Sequence, residues 1–324
     1  MTVAPNIVRI VGGLGNQLFQ YAFGLHLEAQ TARPSRFDTR PLESYRLHGG
    51  KLAIEGPFDV RVPVATDAEL RRHGKWLEKY DITRAMYRLS KTLGRAVPLH
   101  TDYNLPGKLS EIRKPSVFHG YWQTPVFASE ALSRLSFRNE ILEQVNQIFD
   151  DHGIDPDSDV VIHVRRGDFL KLPKSCHLPL GEQDYYAPIM QSLEQNGRRR
   201  FLILSDDIEA LRRGPLAEFN SLFVDSTISL GPAVDLCLLS RMRTMVLSAS
   251  SFSWWAAALN VHRDPLVLAP HPWVKLSFRD DPHASALPCS NWILVDTVPV
   301  QTGRGYAQVT QDALPEYRTT APEI

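Results

Sequence analysis

Val160-Val-Ile-His-Val164, running on into Arg165-Arg-Gly-Asp-Phe169, decides the fold. A run dominated by β-branched residues that stops at charges and a glycine reads as a buried strand giving out into a loop. The same alternation then repeats. Tyr185 to Gln195 reads as a helix, Phe201-Leu-Ile-Leu204 as a strand, Ile208 to Arg213 as a short helix and Leu222-Phe-Val224 as a strand. Ala233 to Arg241 is then a helix, Thr244-Met-Val-Leu247 a strand, Phe252 to Val261 a helix and Pro265-Leu-Val-Leu-Ala269 a strand. Strands separated by helices of this length imply a parallel, doubly wound sheet, which takes ligands outside the carboxyl ends of its strands.

Upstream, Asn6-Ile-Val-Arg-Ile-Val11 is a second such strand, Gly12-Gly13-Leu14-Gly15 a turn, and Asn16 opens a helical pattern of Leu18, Phe19, Ala22, Phe23 and Leu27. From Arg33 to about Pro115 the pattern weakens into short pieces rich in proline and basic residues, read as excursions around a small first domain. Phe137 to Phe149 reads as a helix with Ile141, Leu142, Val145 and Ile148 on one face, followed by the polar stretch Asp150 to Asp159. The domain boundary is placed in that stretch, giving an N-terminal domain 1–150, a C-terminal domain 151–300 and a loose polar tail 301–324.

The 324 residues are 43% hydrophobic and 22% charged, enough for two ordinary domains with a core each. Lysine plus arginine and aspartate plus glutamate both number 36, so no net charge points to nucleic acid or an anionic membrane. Any anionic ligand has to be held by local charges. Cys176, Cys237 and Cys289 have neither disulfide-framework density nor metal-ligand spacing, which fits a reducing cytoplasm. No basic leader precedes an apolar run, and no stretch reaches the roughly 20 apolar residues that span a bilayer. The expectation is a soluble cytoplasmic protein, with peripheral membrane contact left open.

A guanidinium fork matches phosphate oxygens in two places, so Arg165 and Arg166, with His163 and Asp168 beside them, are candidates to hold a diphosphate. On an arbitrary turn such a group would be an ordinary solvated patch; the strand end is what favours a ligand. Ser248-Ala-Ser-Ser-Phe-Ser-Trp-Trp255 joins a buried strand to the next helix, so its N–H groups and hydroxyls meet the positive end of the helix dipole. Ser250, Ser251, Phe252 and Ser253 are candidates in this second anion cradle, whereas Trp254 and Trp255 read as core. Ser205-Asp206-Asp207 ends a further strand, and Asp235 sits in the helix before the serine motif. A carboxylate in a cleft can accept from both the N1–H and the amino group of guanine, a pattern adenine lacks. By itself Asp235 reads equally as a helix-terminal aspartate stabilised by the dipole.

Gly12-Gly13-Leu14-Gly15-Asn16-Gln17 looks at first like a dinucleotide fingerprint, but Leu18 stands where the third glycine belongs, which counts against NAD. The loop still offers Asn16 and Gln17 at a helix N-terminus. Asp155-Pro-Asp157 and Asp157-Ser-Asp159 match a metal-clamp Asp-x-Asp by letter, yet precede a strand instead of following one. No His/Glu metal pair, Gly-x-Ser-x-Gly or P-loop pattern is present.

Gly12 to Gly24 (GGLGNQLFQYAFG), His163 to Phe169 (HVRRGDF) and Ser248 to Asn260 (SASSFSWWAAALN) resemble glycosyltransferase family eleven, the α-1,2-fucosyltransferases. Gly120-Tyr-Trp-Gln123, Asp184-Tyr-Tyr186, Phe201 to Asp207, Asp235 to Ser240 and Leu268-Ala-Pro270 extend the likeness over most of the chain. The resemblance implies a GT-B-like α/β architecture of two Rossmann-like domains with parallel sheets facing across a cleft. It also implies a GDP-L-fucose donor, a galactose-containing acceptor, no cofactor or metal, and inversion from a β-linked donor to an α-linked product. By the same likeness Arg165 holds the β-phosphate with Arg166 and Asp168 in support, and Asp235 reads guanine. His163, Ser205, Asp206 and Ser250 to Ser253 line the donor site, while Gly13, Gly15, Asn16 and Gln17 face the acceptor. Asp168 is also a candidate to take the acceptor proton, the alternatives being that its neighbouring arginines occupy it and that, as in some related fucosyltransferases, no dedicated base is used. Ala249 stands where the family often has asparagine, and Ala256-Ala-Ala258 where it has Gly-Ala-Trp, changes that remove no charge but leave the acceptor open. Lactose, N-acetyllactosamine, galactose and a lipopolysaccharide repeat unit are all open acceptors. Transfer of rhamnose or mannose from GDP, and nucleotide-sugar binding without catalysis, are the alternatives.

Overall fold

The computed structural model describes residues 3–44, 50–73, 99–101, 107–167, 176–198, 200–278, 289, 291–303 and 305. The chain divides into two units, Met1–Arg138 and Asn139–Ile324. The division falls one helix earlier than the polar stretch after Asp150 suggests. The helix Asn139–His152 buries Val145, Ile148 and Phe149 and packs on the helix Pro232–Ser240, where the Arg241 guanidinium lies over the Phe149 ring. Its apolar face, not the turn after it, decides which unit it joins. Most of the expected tail, from residue 306 on, lies outside the described residues.

The first unit is a four-stranded parallel sheet in the order β2-β1-β4-β3, with β1 Asn6–Arg9, β2 Ser35–Asp38, β3 Leu99–His100 and β4 Val117–Phe118. Ile7 and Val8 of β1 pair with Arg36 and Phe37 on one side and with Val117 and Phe118 on the other. Among the described residues three helices of six residues or more accompany it: α1 Leu14–Thr31, α2 Asp67–Arg72 and α3 Pro125–Leu132. α1 is buried nearly all round, with Leu18, Phe19, Ala22 and Phe23 in the core. Two glutamines are buried with them, and their amides are satisfied by loop backbone as described below.

The second unit is a six-stranded parallel sheet in the order β10-β9-β8-β5-β6-β7. In chain order it runs α4 (the helix Asn139–His152), β5 Val160–Val164, a π-helical turn Glu182–Tyr186, α5 Ala187–Gln195, β6 Phe201–Ser205, α6 Ile208–Leu211 and β7 Ser221–Phe223. α7 Pro232–Ser240, β8 Thr244–Val246, α8 Ser251–Ala258, β9 Leu266–His271 and β10 Ile293–Asp296 follow. β5 is buried over all five residues, as a central parallel strand covered on both faces must be. Trp254 and Trp255 are core residues, 1% and 0% exposed, as their sequence reads. Cys176, Cys237 and Cys289 form no disulfide with one another.

Candidate functional site

In the second unit the chain lays β5, β6 and β7 to one side and then returns to β8, β9 and β10 on the other, so the order reverses between β5 and β8. A crevice for ligands forms outside the carboxyl ends of strands at such a reversal. His163, the penultimate residue of β5, and Ser248, just past β8, meet there with Nδ1 2.7 Å from the serine hydroxyl. Burial, then the Arg165 charge, pushes the imidazole down to about 3 against the pull of Asp206. His163 is therefore a neutral bridge between the two strand ends at pH 7.

The serine loop folds onto this bridge. Ser250 caps α8 by accepting from the Phe252 N–H at 3.3 Å, and Phe252 lays its ring 5.5 Å from that of His163. The Ser253 hydroxyl donates to the Ser248 and Ser250 carbonyls, at 2.9 and 3.0 Å. The Ser250 and Ser253 side chains thus take part in shaping the loop. Ser251 and Phe252 are half-buried at its surface.

Arg165 and Arg166 leave β5 and are received by acids. Arg165 Nη1 lies 3.2 Å from Asp206 Oδ2, and the Arg166 N–H donates to Asp206 Oδ1 at 2.9 Å. The Arg166 side chain donates from Nη1 to Glu182 at 2.6 Å and from Nε to Asp207 at 3.3 Å. Glu182 had no signal in the sequence: it lies in a separate turn, and only the fold brings it to the arginine. Burial would raise the Asp206 carboxyl, but the Arg166 N–H, the Arg165 charge and the Gly167 N–H outweigh it and hold it below the usual range. Asp168 lies outside the described residues.

Beside these acids opens a cleft of about 470 Å3, lined by Ser205 at the end of β6, Asp206 and Asp207 after it, Val224 and Asp225 past β7, Ser229 before α7 and Asp235 in its first turn. Asp235 Oδ1 is buried and has no hydrogen-bond partner among the described residues. Burial pushes this carboxyl up to about 6, with Ser229 opposing. A buried acceptor left unpaired costs about 1–3 kcal/mol, and a site that a ligand completes is a reason to keep it. One cleft thus holds a donor-seeking carboxylate at one end and, at the other, the aspartate that meets Arg165.

In the first unit the corresponding reversal lies between β1 and β4, at the loop Gly12–Gly13 and the segment after Phe118. Gly12 has φ +86°, a conformation only glycine adopts easily, and a Cβ there would lie 2.7 Å from Asn16 Nδ2. Gln123 Nε2 donates to Asn16 Oδ1 at 2.8 Å, and Gln20 ties the Val11 N–H (2.9 Å) to the Gly120 carbonyl (3.0 Å). Between these straps Trp122, at φ +55°, is buried and stacks on Phe23 at 4.1 Å, while Tyr121 is 44% exposed. Gln17 does not offer its amide outward as expected. Nε2 donates to the Gly12 and Lys51 carbonyls at 2.9 and 3.0 Å, and Oε1 accepts from the Ala53 N–H at 2.8 Å. Gly15 is buried beneath the loop, and Gly13 and Asn16 are half-buried at its surface.

Among the described residues no group of three or more His, Cys, Asp or Glu side chains is placed to hold a metal ion, and no helix is long and apolar enough to cross a membrane.

Comparison with known proteins gives the family. The profile of Glycosyl transferase family 11 matches residues 107–296, which include the arginine pair, Asp235 and the serine loop. An alpha-1,2-colitosyltransferase of Escherichia coli is 28% identical over 309 residues, covering 90% of this chain and 98% of that protein. Among solved structures, the α-1,6-fucosyltransferase NodZ of Bradyrhizobium, in crystals grown with GDP, aligns with TM-score 0.50 at 14% identity over 80% of this chain and 93% of its own. POFUT1 in its apo form aligns with TM-score 0.51 at 14% identity, over 83% of this chain and 98% of its own. At these identities the two structures speak to the fold, and that fold is the GT-B-like α/β architecture.

Proposed function

Because this chain belongs to glycosyl transferase family 11, we propose that it moves L-fucose from GDP-fucose to the 2-hydroxyl of a galactoside, by single displacement with inversion and without a metal. The observation that carries the donor is the cleft between Asp206 and Asp235. Its unpaired carboxylate oxygen suits the two donors on one edge of guanine, and the adjoining guanidinium groups suit a diphosphate. A ligand with both features is a guanosine diphosphate.

Departure of GDP puts negative charge on the β-phosphate and positive charge on the sugar, so a cation fixed at that phosphate gains most in the transition state. We assign that role to Arg165, whose guanidinium is paired with Asp206. Arg166 is held by Glu182 and Asp207 and supports the clamp. The N-terminus of α8 adds a fixed positive dipole end, so charge that a metal would bring is supplied by the protein. Asp168 is the proposed recipient of the acceptor proton. On the first unit, Asn16 with Gln123 and the exposed Tyr121 offer hydroxyl-binding amides and an aromatic face suited to a sugar ring.

One relative supports a second reading of the donor. Colitose is fucose without the 3-hydroxyl, and the colitosyltransferase matches 90% of this chain. Both readings are tested together by incubating the protein in EDTA with GDP-fucose, GDP-colitose, GDP-rhamnose or GDP-mannose. The acceptors are lactose, N-acetyllactosamine, galactose and a lipopolysaccharide repeat saccharide, with linkage analysis of each product. An α-1,2-fucosylated galactoside is the expected product. Transfer of colitose alone would select the second reading, and GDP binding without turnover on any pair would reduce the protein to a binding module.

A further inference from the structure

Asp184-Tyr-Tyr186 belongs to a π-helical turn, Glu182–Tyr186, which touches the donor site at three points. Such turns are rare and gather at functional sites. Glu182 Oε1 accepts from Arg166 Nη1 at 2.6 Å. The Tyr185 hydroxyl donates to the Leu247 carbonyl just past β8 at 3.1 Å, and the Tyr186 hydroxyl to the His163 carbonyl in β5 at 3.3 Å. A single turn therefore grips both strands flanking the reversal and one arm of the arginine pair.

The Glu182 carboxylate is 12% exposed, and its Oε2 is buried with no hydrogen-bond partner among the described residues. A Cβ on Gly214 would sit 1.9 Å from that oxygen, so the carboxylate fits only because position 214 is glycine. A boxed-in ion pair of this kind is seldom better for stability than apolar packing, so its presence asks for another reason.

We infer that the turn Glu182–Tyr186 is the positioning element of the diphosphate clamp, with Glu182 setting the direction of the Arg166 fork. A guanidinium whose direction is fixed in advance loses less rotational freedom on meeting a phosphate than one that swings freely. Glu182 is a positioning residue, since it acts through Arg166. The inference rests on the GDP-sugar reading above.

The test is calorimetric titration of the full chain and of Glu182→Gln with GDP and, separately, with guanosine, which has the base but no phosphates. Glu182→Gln is expected to bind GDP about tenfold more weakly, as when one charge-assisted contact loses its alignment. Its affinity for guanosine and its melting temperature should be unchanged. Gly214→Ala, which pushes the carboxylate aside without altering it, is expected to give the same pattern, and Glu182→Asp replaces Glu182→Gln if the amide variant does not fold. Equal weakening for guanosine and GDP would mark Glu182 as merely structural. Unchanged GDP affinity, or tighter binding because a competing carboxylate has gone, would equally overturn the inference. Failure of the unaltered protein to bind GDP would overturn the donor reading itself, an outcome separate from any difference between the variants.

Discussion

The two units place charge at the ends of their parallel strands in opposite ways. In the first, Arg9 and Asp38 pair at 3.5 Å with side chains 3% and 1% exposed, and Arg40 closes on Asp38 with a 2.7 Å contact from Nε. In the second, Arg165 and Arg166 pair with acids while 19% and 26% exposed. The first arrangement is internal wiring of a sheet; the second is open to an anion. Burial of both partners, not the presence of arginine, sets the Arg9–Asp38 pair apart from the second arrangement, since Arg40 on Asp38 is itself 32% exposed. Breaking a buried pair leaves an uncompensated charge inside and shows up in stability, whereas altering a half-open one shows up in ligand affinity and rate.

Asp38→Asn should give the largest effect, destabilising the protein by about 3–5 kcal/mol in urea denaturation while GDP affinity of the folded protein holds. A loss below about 1 kcal/mol would erase the contrast between the units. Arg165→Lys keeps the charge and removes only the planar fork, so turnover measured as GDP release should fall about 10²–10³-fold with little change in melting temperature. Arg166→Lys should lose less, and a drop under about threefold for Arg165→Lys would take that residue out of the catalytic role.

Asp235→Asn should weaken GDP binding by about 1.5–3 kcal/mol, since an amide can accept only one of the two guanine hydrogen bonds through its oxygen. The same change should raise the melting temperature at pH 8. Burial lifts this carboxyl to about 6 from an ordinary value near 4, so the protonated form suits the fold. Its contribution to stability is complete below about pH 4 and is lost as pH rises through 6, leaving an ionised group that the fold resists and that guanine needs. GDP affinity of the unaltered protein should therefore decline below about pH 6, and that of the asparagine variant should not. A variant that loses both stability and affinity would place Asp235 among the structural acids. Smallest of all, Ser250→Ala should cost about 1 kcal/mol of stability through the lost helix cap and leave GDP affinity nearly unchanged. A large loss of affinity would return the Ser250 hydroxyl to the ligand.

Much of the second unit was legible from sequence because its strands are continuous apolar runs: Val160-Val-Ile-His-Val164 is β5 without adjustment. The last strand, Ile293–Asp296, was missed. It is an edge strand of four residues, partly exposed, and carries no pattern until β9 pairs with it. The first unit hid β2, β3 and β4 because they are short: Ser35-Arg-Phe-Asp38 and two-residue strands such as Leu99–His100 have no readable period. At the site, Arg165, Arg166, Asp206 and Asp235 were visible because each stands at a strand or helix end, where an open sheet presents its ligand groups. The backbone bonds of Gln17 and Ser253 were not legible, because an amide or hydroxyl at a helix N-terminus can be satisfied by nearby backbone as readily as by a ligand. Glu182 could not be found, because its meaning depends on a contact 16 positions away in sequence.

The central claim is that the strand ends of the second unit read a guanosine diphosphate through Asp235 and the arginine pair. Its most direct test is calorimetric titration of the unaltered protein with GDP and with ADP in the presence of EDTA. The account predicts that GDP binds without added metal and that ADP, which offers the same phosphates but an acceptor where guanine presents its N1–H, binds at least about tenfold more weakly. Equal affinity for the two nucleotides, or GDP binding that appears only when a divalent ion is restored, would contradict it.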